Sequence, residues 1–289
     1  MTINILGDGV WGKALSTLLT QNNHKIEFWD KQSKIKPLDA ILIAVPATAI
    51  RDVFTKYGSD LKNSIIINSA KGIEKESHKL PHQITKDILG ENIKYFAIMG
   101  PSFAEEVEEK MPTIVNLAGN IDQSREIADL FETDYFRVKR TNSLEAIELS
   151  GALKNVYAIA CGIAKGLGFK TNTQAKLITL AFEEIERLCK ALNYRIDHKA
   201  NPAILGDLML TCTSEQSRNF SFGMNLINHN LNTALKKVNS TVEGYNTAFS
   251  IPFFANKTKL PLAEFIFNIL EKNKPERVRK DFASFVKET

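Results

Sequence analysis

The run Ile3-Asn-Ile-Leu-Gly7-Asp-Gly9-Val-Trp11-Gly12-Lys-Ala14 constrains this chain more than any other. A short apolar strand leads straight into G-x-G-x-x-G, and apolar residues at helical spacing follow from Trp11 to Leu19. Strand, glycine turn and helix in that order open a βαβ unit. Each glycine has its own reason to be there. Gly7 permits the tight turn, Gly9 lets the backbone approach a pyrophosphate, and Gly12 lets the helix pack on the strand. The helix start, at Val10 and Trp11, offers N–H groups and the positive end of a dipole to phosphates. Gly7, Gly9, Val10, Trp11 and Gly12 are therefore expected to form a dinucleotide-binding loop.

The rest of the first half continues the alternation. Strands are expected at Lys25–Trp29, Ala40–Val45, Ser64–Asn68, Tyr95–Met99, Thr113–Leu117 and Tyr135–Val138. Helical stripes fall at Ile50–Tyr57, Pro81–Leu89 and Asp122–Phe131. This pattern predicts an α/β, Rossmann-like domain over residues 1–141 with a mostly parallel sheet. From Asn142 onward the periodicity is helical. Asn142 and Glu145 read as a capping-box-like start of a helix reaching about Lys165. Further helices are expected over Thr173–Leu192, Pro202–Met209, Phe222–Asn230, Tyr245–Asn256 and Pro261–Leu270. Residues 142–289 are thus read as an all-α domain for substrate binding and dimerisation.

With 289 residues, 44% of them apolar, the chain is long enough to bury two cores without metal or disulfide staples. The net charge of +4 is spread along the chain, and no basic block argues for nucleic acid. Cys161, Cys189 and Cys212 are odd in number and far apart, which reads as buried thiols in a reducing compartment. The histidines show no ligand spacing with them, so no metal is expected. A strand pattern starting at Thr2 leaves no room for a leader, and no apolar run is long enough to insert in a membrane. A cytoplasmic protein is expected.

Polar clusters follow the strand ends, where an open α/β sheet binds ligands. The second strand ends in Asp30-Lys31. An acid there would hydrogen-bond a ribose hydroxyl and favour NAD, whereas Lys31 would meet a 2′-phosphate and favour NADP, so both cofactors stay open. Only eight residues, Lys31 to Leu38, precede Asp39, with hardly room for a covering helix. Lys71 follows the fourth strand and could equally be a surface lysine. Gly100, Ser102 and Ala104 follow the fifth, where Ser102 reads as a helix cap. Lys154 and Asn155 sit amid small and apolar residues, with Glu148 and Gly151 close on one side of the helix. A partly buried lysine suits proton exchange with an alcohol, unless its stem carries the ammonium out to water. Asp207, Thr211, Ser217, Arg218 and Asn219 form a hydroxyl-rich stretch ending in an Arg fork suited to phosphate or carboxylate. Glu243 lies in a turn-like Val-Glu-Gly.

These pieces (G-D-G-V-W-G-K-A, N-S-A-K-G-I, G-P-S-F-A-E-E, A-I-E-L-S-G-A-L-K-N-V, G-D-L-M-L-T-C-T-S-E-Q-S-R-N and V-E-G-Y) occur in order from residue 3 to about 250. In this the chain resembles the soluble NAD(P)-dependent glycerol-3-phosphate dehydrogenases. The resemblance implies reversible hydride transfer between NAD(P)H and dihydroxyacetone phosphate, giving sn-glycerol 3-phosphate for phospholipid synthesis, in a homodimer. It implies that Lys154 exchanges the proton and that Lys71 contacts substrate and nicotinamide. Asn155, Asp207 and Thr211 would orient Lys154 and the substrate hydroxyls. Ser217, Arg218 and Asn219 would hold the substrate phosphate, and Gly100 and Ser102 would line the site. Trp11, Ala104, Arg218 and Glu243 would contact the cofactor. The chain departs from the family in the short link after Asp30, where family members carry a longer segment. Lys31 stands where they often have Arg or His. A hydroxy-acid dehydrogenase, with Arg218 on a carboxylate, and a non-catalytic nucleotide-binding protein are the alternatives.

Overall fold

A computed structural model describes residues 1–288 apart from 32, 33, 37, 60, 62, 273 and 274. The chain forms two compact units. One comprises Met1–Glu148 with Arg195–Ile204, and the other Leu149–Tyr194 with Leu205–Thr289.

In the first unit the expected α/β layers are present. Strands β1 (Thr2–Leu6), β2 (Lys25–Phe28), β3 (Ala40–Ile43), β4 (Ile65–Asn68), β5 (Lys94–Met99), β6 (Thr113–Gly119) and β7 (Phe136–Thr141) build one sheet in the order β2-β1-β3-β4-β5-β6-β7. Helices α1 (Val10–Gln21), α2 (Ile50–Tyr57), α3 (Pro81–Leu89), α4 (Ala104–Glu108) and α5 (Ser124–Asp129) lie between them in the chain. All neighbouring strands are parallel except β5 and β6, where Phe96 faces Gly119 across an antiparallel ladder. The central strands are apolar on both faces, as Ala40–Ile43 illustrates by being wholly buried. Leu15, Leu18 and Leu19 of α1 pack with Ile3, Ile5, Ile98, Leu117, Phe131 and Phe136 in one continuous core. Each such side chain contributes about 1.5–3 kcal/mol through burial.

The sheet edges read differently. In β7 Phe136 and Val138 are buried while Arg137 and Lys139 are exposed, the alternation of a half-covered strand. The β2 edge carries Glu27 between Lys25 and Lys36, with the Lys36 ammonium 2.6 Å from its carboxylate. The link from β2 to β3 passes without a helix among its described residues, and Ile35 on it is buried. Charge on the strand and a buried plug in the link are two ways to blunt an edge.

Helix α6 (Leu144–Gly166) opens one residue later than the Asn142 cap predicts. Ser143 immediately precedes it, and the Ser143 hydroxyl accepts the Asp197 N–H at 3.0 Å. Asn116 of β6 bonds the Lys199 carbonyl and the Ala203 N–H at 2.8 and 2.9 Å. These bonds explain why Arg195–Ile204 belongs to the sheet unit.

The second unit is helical throughout its described residues: the remainder of α6, then α7 (Thr171–Ala191), α8 (Asp207–Thr213), α9 (Arg218–Asn225), α10 (Leu231–Val238), α11 (Glu243–Ala248), α12 (Ile251–Ala255), α13 (Pro261–Lys272) and α14 (Pro275–Glu288). From Leu149 to Ala164 every α6 residue is buried, as befits a helix that is apolar all round. Gly162 of α6 and Gly223 of α9 let the two helices touch backbone to backbone, since a Cβ on either would enter the other's carbonyl. Glu184 of α7 accepts the first N–H groups of α13, from Leu262 at 2.6 Å and Ala263 at 3.1 Å, and the Tyr157 hydroxyl at 3.0 Å.

Several helix limits correct the sequence reading. The helix expected over Pro202–Met209 is a π-helical turn, Pro202–Gly206, followed by α8. The one expected over Phe222–Asn230 starts earlier, at Arg218, because the Ser217 hydroxyl accepts the Phe220 N–H. Asn230 instead caps α10. The stretch Tyr245–Asn256 is two helices, separated at Phe249 and Ser250.

Candidate functional site

The candidate residues fall into two clusters, one in each unit. In the first, Gly7 adopts φ +121°, and a Cβ there would lie 2.7 Å from the Ala44 carbonyl group at the end of β3. Only glycine suits both demands. A Cβ on Gly12 would enter the Gly7 carbonyl, so Gly12 is fixed by the close pass of α1 over the turn. Gly9 is the opposite case: a Cβ there meets nothing within 4 Å. Its backbone faces open space directly before α1, and Val10 beside it is 61% exposed. An open glycine backbone at a helix start fits the pyrophosphate of a dinucleotide. Asp30 and Lys31, both exposed, follow β2. The Lys31 carbonyl accepts the Tyr57 hydroxyl at 3.0 Å, and Tyr57 meets Trp29 edge to face at 5.0 Å.

The loop after β4 and the loop after β5 converge on one carbonyl. Lys71 Nζ donates to the Gly100 oxygen at 3.3 Å, and Ser102 Oγ donates to the same oxygen at 3.2 Å. Gly100 is small because a Cβ would sit 2.7 Å from Val115 Cα on β6. Ser102 does not cap α4. Phe103 occupies that position, and the serine hydroxyl turns back to Gly100 instead. Ala104, half-buried, is the first residue of α4.

In the second unit Lys154 of α6 is nearly enclosed. Its ammonium donates to Asp207 Oδ1 and Thr211 Oγ1, both at 2.6 Å. Thr211 in turn donates to the Asp207 carbonyl one helical turn back, at 2.6 Å. The π-helical turn runs directly into Asp207, and such turns recur at functional sites. Asn155, beside Lys154, accepts the Asn219 amide at 2.9 Å, while Asn219 Oδ1 accepts the Gly244 N–H at 2.8 Å. A Cβ on Gly244 would crowd the Asn155 carbonyl, so the three are packed tightly. Ser217 caps α9, leaving Arg218 exposed at its first turn and Asn219 buried. Glu243 starts α11. Burial pushes its carboxyl up to about 7, against the pull of the Arg218 guanidinium.

Glu148 is bonded by Asn68, His82 and Tyr95, none of which the sequence reading linked to it; His82 stood out there only for its i, i+4 spacing from His78, too weak to suggest a metal. Ser240, whose hydroxyl takes the Arg218 guanidinium at 2.8 Å, was also missed, and nothing in its local sequence marks it. All three cysteines are free and buried, and burial pushes the Cys189 thiol up to about 12. Among the described residues no group of His, Cys, Asp or Glu could hold a metal ion, and no helix is long and apolar enough to cross a membrane.

Comparison with known proteins covers both units. Residues 30–125 match the family model for the NAD-dependent glycerol-3-phosphate dehydrogenase N-terminus, and residues 144–279 match the C-terminus model of the same enzyme. The glycerol-3-phosphate dehydrogenase [NAD(P)+] of Halorhodospira halophila is 32% identical over 311 residues, covering 95% of this chain and 93% of its own. That of Oceanobacillus iheyensis is 33% identical over 319 residues, covering 94% and 90%. The crystal structure of the Coxiella burnetii glycerol-3-phosphate dehydrogenase superposes with a TM-score of 0.86 at 29% identity, covering 99% of this chain and 98% of the other. A Plasmodium falciparum glycerol-3-phosphate dehydrogenase shares the fold at 19% identity, with a TM-score of 0.82 and coverage of 98% and 95%.

Proposed function

The chain belongs to the NAD-dependent glycerol-3-phosphate dehydrogenase family, and from that premise we propose that it interconverts dihydroxyacetone phosphate and sn-glycerol 3-phosphate with NAD(H) or NADP(H). The observation that carries this reading is the buried Lys154–Asp207–Thr211 triad, with both ammonium contacts at 2.6 Å. An ammonium held this way is a proton donor with fixed direction.

The bound nicotinamide supplies the hydride in the reduction. Lys154 donates its proton to the substrate carbonyl oxygen as that oxygen becomes a hydroxyl, and takes it back in the reverse direction. Asp207 and Thr211 fix the ammonium, and Asp207 offsets its charge in a site where unpaired charge is costly. Asn155 sits beside Lys154 and is itself locked through Asn219 to the Gly244 backbone. Arg218, Asn219 and Ser217 at the first turn of α9 hold the substrate phosphate, where a guanidinium fork and the positive end of a helix act together. Lys71, Gly100 and Ser102 are further substrate contacts. Gly7, Gly9, Val10, Trp11 and Gly12 bind the pyrophosphate. Asp30 and Lys31 face the adenosine, with Ala104, Arg218 and Glu243 as further cofactor contacts. The sheet unit, Met1–Glu148 with Arg195–Ile204, serves for the cofactor, and the helical unit, Leu149–Tyr194 with Leu205–Thr289, for substrate binding and for dimerisation of a cytoplasmic homodimer whose product feeds phospholipid synthesis.

The test is oxidation of NADH and of NADPH followed by absorbance with dihydroxyacetone phosphate as substrate. Lys154→Ala removes most of the turnover and leaves cofactor binding intact, and near-full activity in that variant sinks the assignment. Arg218→Ala mainly raises KM for the phosphorylated substrate, and an unchanged KM rules out the phosphate role. A preference for unphosphorylated hydroxy acids would replace this reading with the hydroxy-acid dehydrogenase.

A further inference from the structure

We propose that Glu148 is a positioning residue for the reaction, acting through Asn68 on the loop that carries Lys71. This rests on the role given to Lys71 above.

Glu148 is fully buried, and its partners come from three elements of the sheet unit. One carboxylate oxygen accepts the Tyr95 hydroxyl of β5 and the Asn68 amide of β4, the latter at 3.2 Å. The other accepts the backbone N–H of His82 at 3.0 Å and lies 2.7 Å from His82 Nδ1, at the start of α3. A buried carboxylate with this many donors aimed at it is costly to disturb, because each donor loses its partner when the acceptor goes.

What Asn68 does with the rest of its side chain gives the network a direction. Its Oδ1 accepts the Ala70 N–H at 2.9 Å, and its Nδ2 donates to the Ala70 carbonyl at 3.0 Å as well as to Glu148. The amide therefore grips both sides of Ala70, the residue before Lys71. Ser69 is held separately, by its N–H and hydroxyl on the Ile43 carbonyl. Lys71 then reaches the Gly100 oxygen. Glu148 fixes the rotamer and flip of Asn68, Asn68 fixes the turn, and the turn aims Lys71. Supporting bonds of this kind decide whether a site is held to within about 0.5 Å. Tyr95 meets both Glu148 and Asn68, whereas the His82 N–H and ring bond the other carboxylate oxygen.

The experiment compares Glu148→Gln, Asn68→Ala and the double variant by dihydroxyacetone phosphate reduction, NADH affinity by fluorescence and thermal melting. A glutamine amide keeps the volume but turns a donor toward donors. Glu148→Gln is expected to lower kcat/KM about 10-fold or more with NADH affinity within about twofold of wild type. In the Asn68→Ala background the same change should cost less than about twofold, because its route is already cut. Equal losses in both backgrounds, or an active wild type with Glu148→Gln within twofold of it, overturn the proposal alone. A wild type without turnover overturns it together with the reaction assigned above. Should Glu148→Gln fail to fold, His82→Leu and Asn68→Ala decide. The proposal requires His82→Leu to lower the melting temperature yet keep kcat/KM within about threefold, and Asn68→Ala to lose about 10-fold. The reverse pattern overturns it.

Discussion

Replacing Gly223 by alanine tests whether helix packing sets the phosphate grip proposed for α9. An added Cβ would lie 3.0 Å from Ile159 C and from Ile163 N, and closer still to the Ile159 carbonyl oxygen. Comfortable carbon contacts begin at about 3.5 Å, and the carbonyl oxygen is the tightest contact, so α9 must retreat from α6 by about 1 Å. Asn219 lies one turn before Gly223 on the same helix face. A retreat of that size stretches its 2.9 Å bond to Asn155 beyond hydrogen-bonding range. Overpacking costs about 1–3 kcal/mol, the lost hydrogen bond about 1 more, and alanine's better helix propensity returns about 1. The net loss is about 1–3 kcal/mol, or about 2–12 °C in Tm at the 2–4 °C per kcal/mol of a domain this size. Calorimetry reads that loss, and steady-state kinetics should show a higher KM for dihydroxyacetone phosphate with little change in NADH affinity. A variant as stable as the wild type with an unchanged KM would refute the reasoning, since propensity would then outweigh contact.

Two further outcomes follow from buried carboxylates. Glu243 has its carboxyl raised from 4.5 to about 7, so the folded chain holds that proton more tightly than the unfolded chain does. Its contribution is therefore full below about pH 4.5 and is lost as pH rises through about 7, and Glu243→Gln should flatten the melting temperature across that window. Glu184→Ala strands the Leu262 and Ala263 N–H groups and the Tyr157 hydroxyl, and should cost about 3 kcal/mol or more in urea unfolding with KM unchanged in the surviving enzyme.

The glycine loop was legible because its determinants are local: Gly7, Gly9 and Gly12 answer to a turn and a helix start only a few residues away. The strands were legible for a related reason, since Ala40–Ile43 has no polar face to show. The pairing of Lys154 with Asp207 and Thr211 joins residues more than fifty positions apart, and only the family resemblance anticipated it. The antiparallel β6 was not visible, because its apolar pattern serves either direction. The short helices were misjudged where a cap decided the limit: Ser217 starts α9 early and Asn230 starts α10 anew. In α14 the buried Val278, Phe282 and Val286 stand at regular four-residue spacing, a stripe that a closer reading would have found.

The short link after β2, without a helix among its described residues, bears on how such a sheet tolerates a short connection. Only β2 and β7 have a single neighbour; every other strand shares its backbone groups with two. Shortening the chain beside an inner strand would strip two rows of hydrogen bonds, whereas shortening it beside β2 strips none. The β1–β2 and β1–β3 registers are accordingly complete despite the brevity of the link. The outer margin of the sheet is thus where this architecture best tolerates a short link, and Glu27 with Lys25 and Lys36 puts charge on that margin, which opposes pairing with another strand.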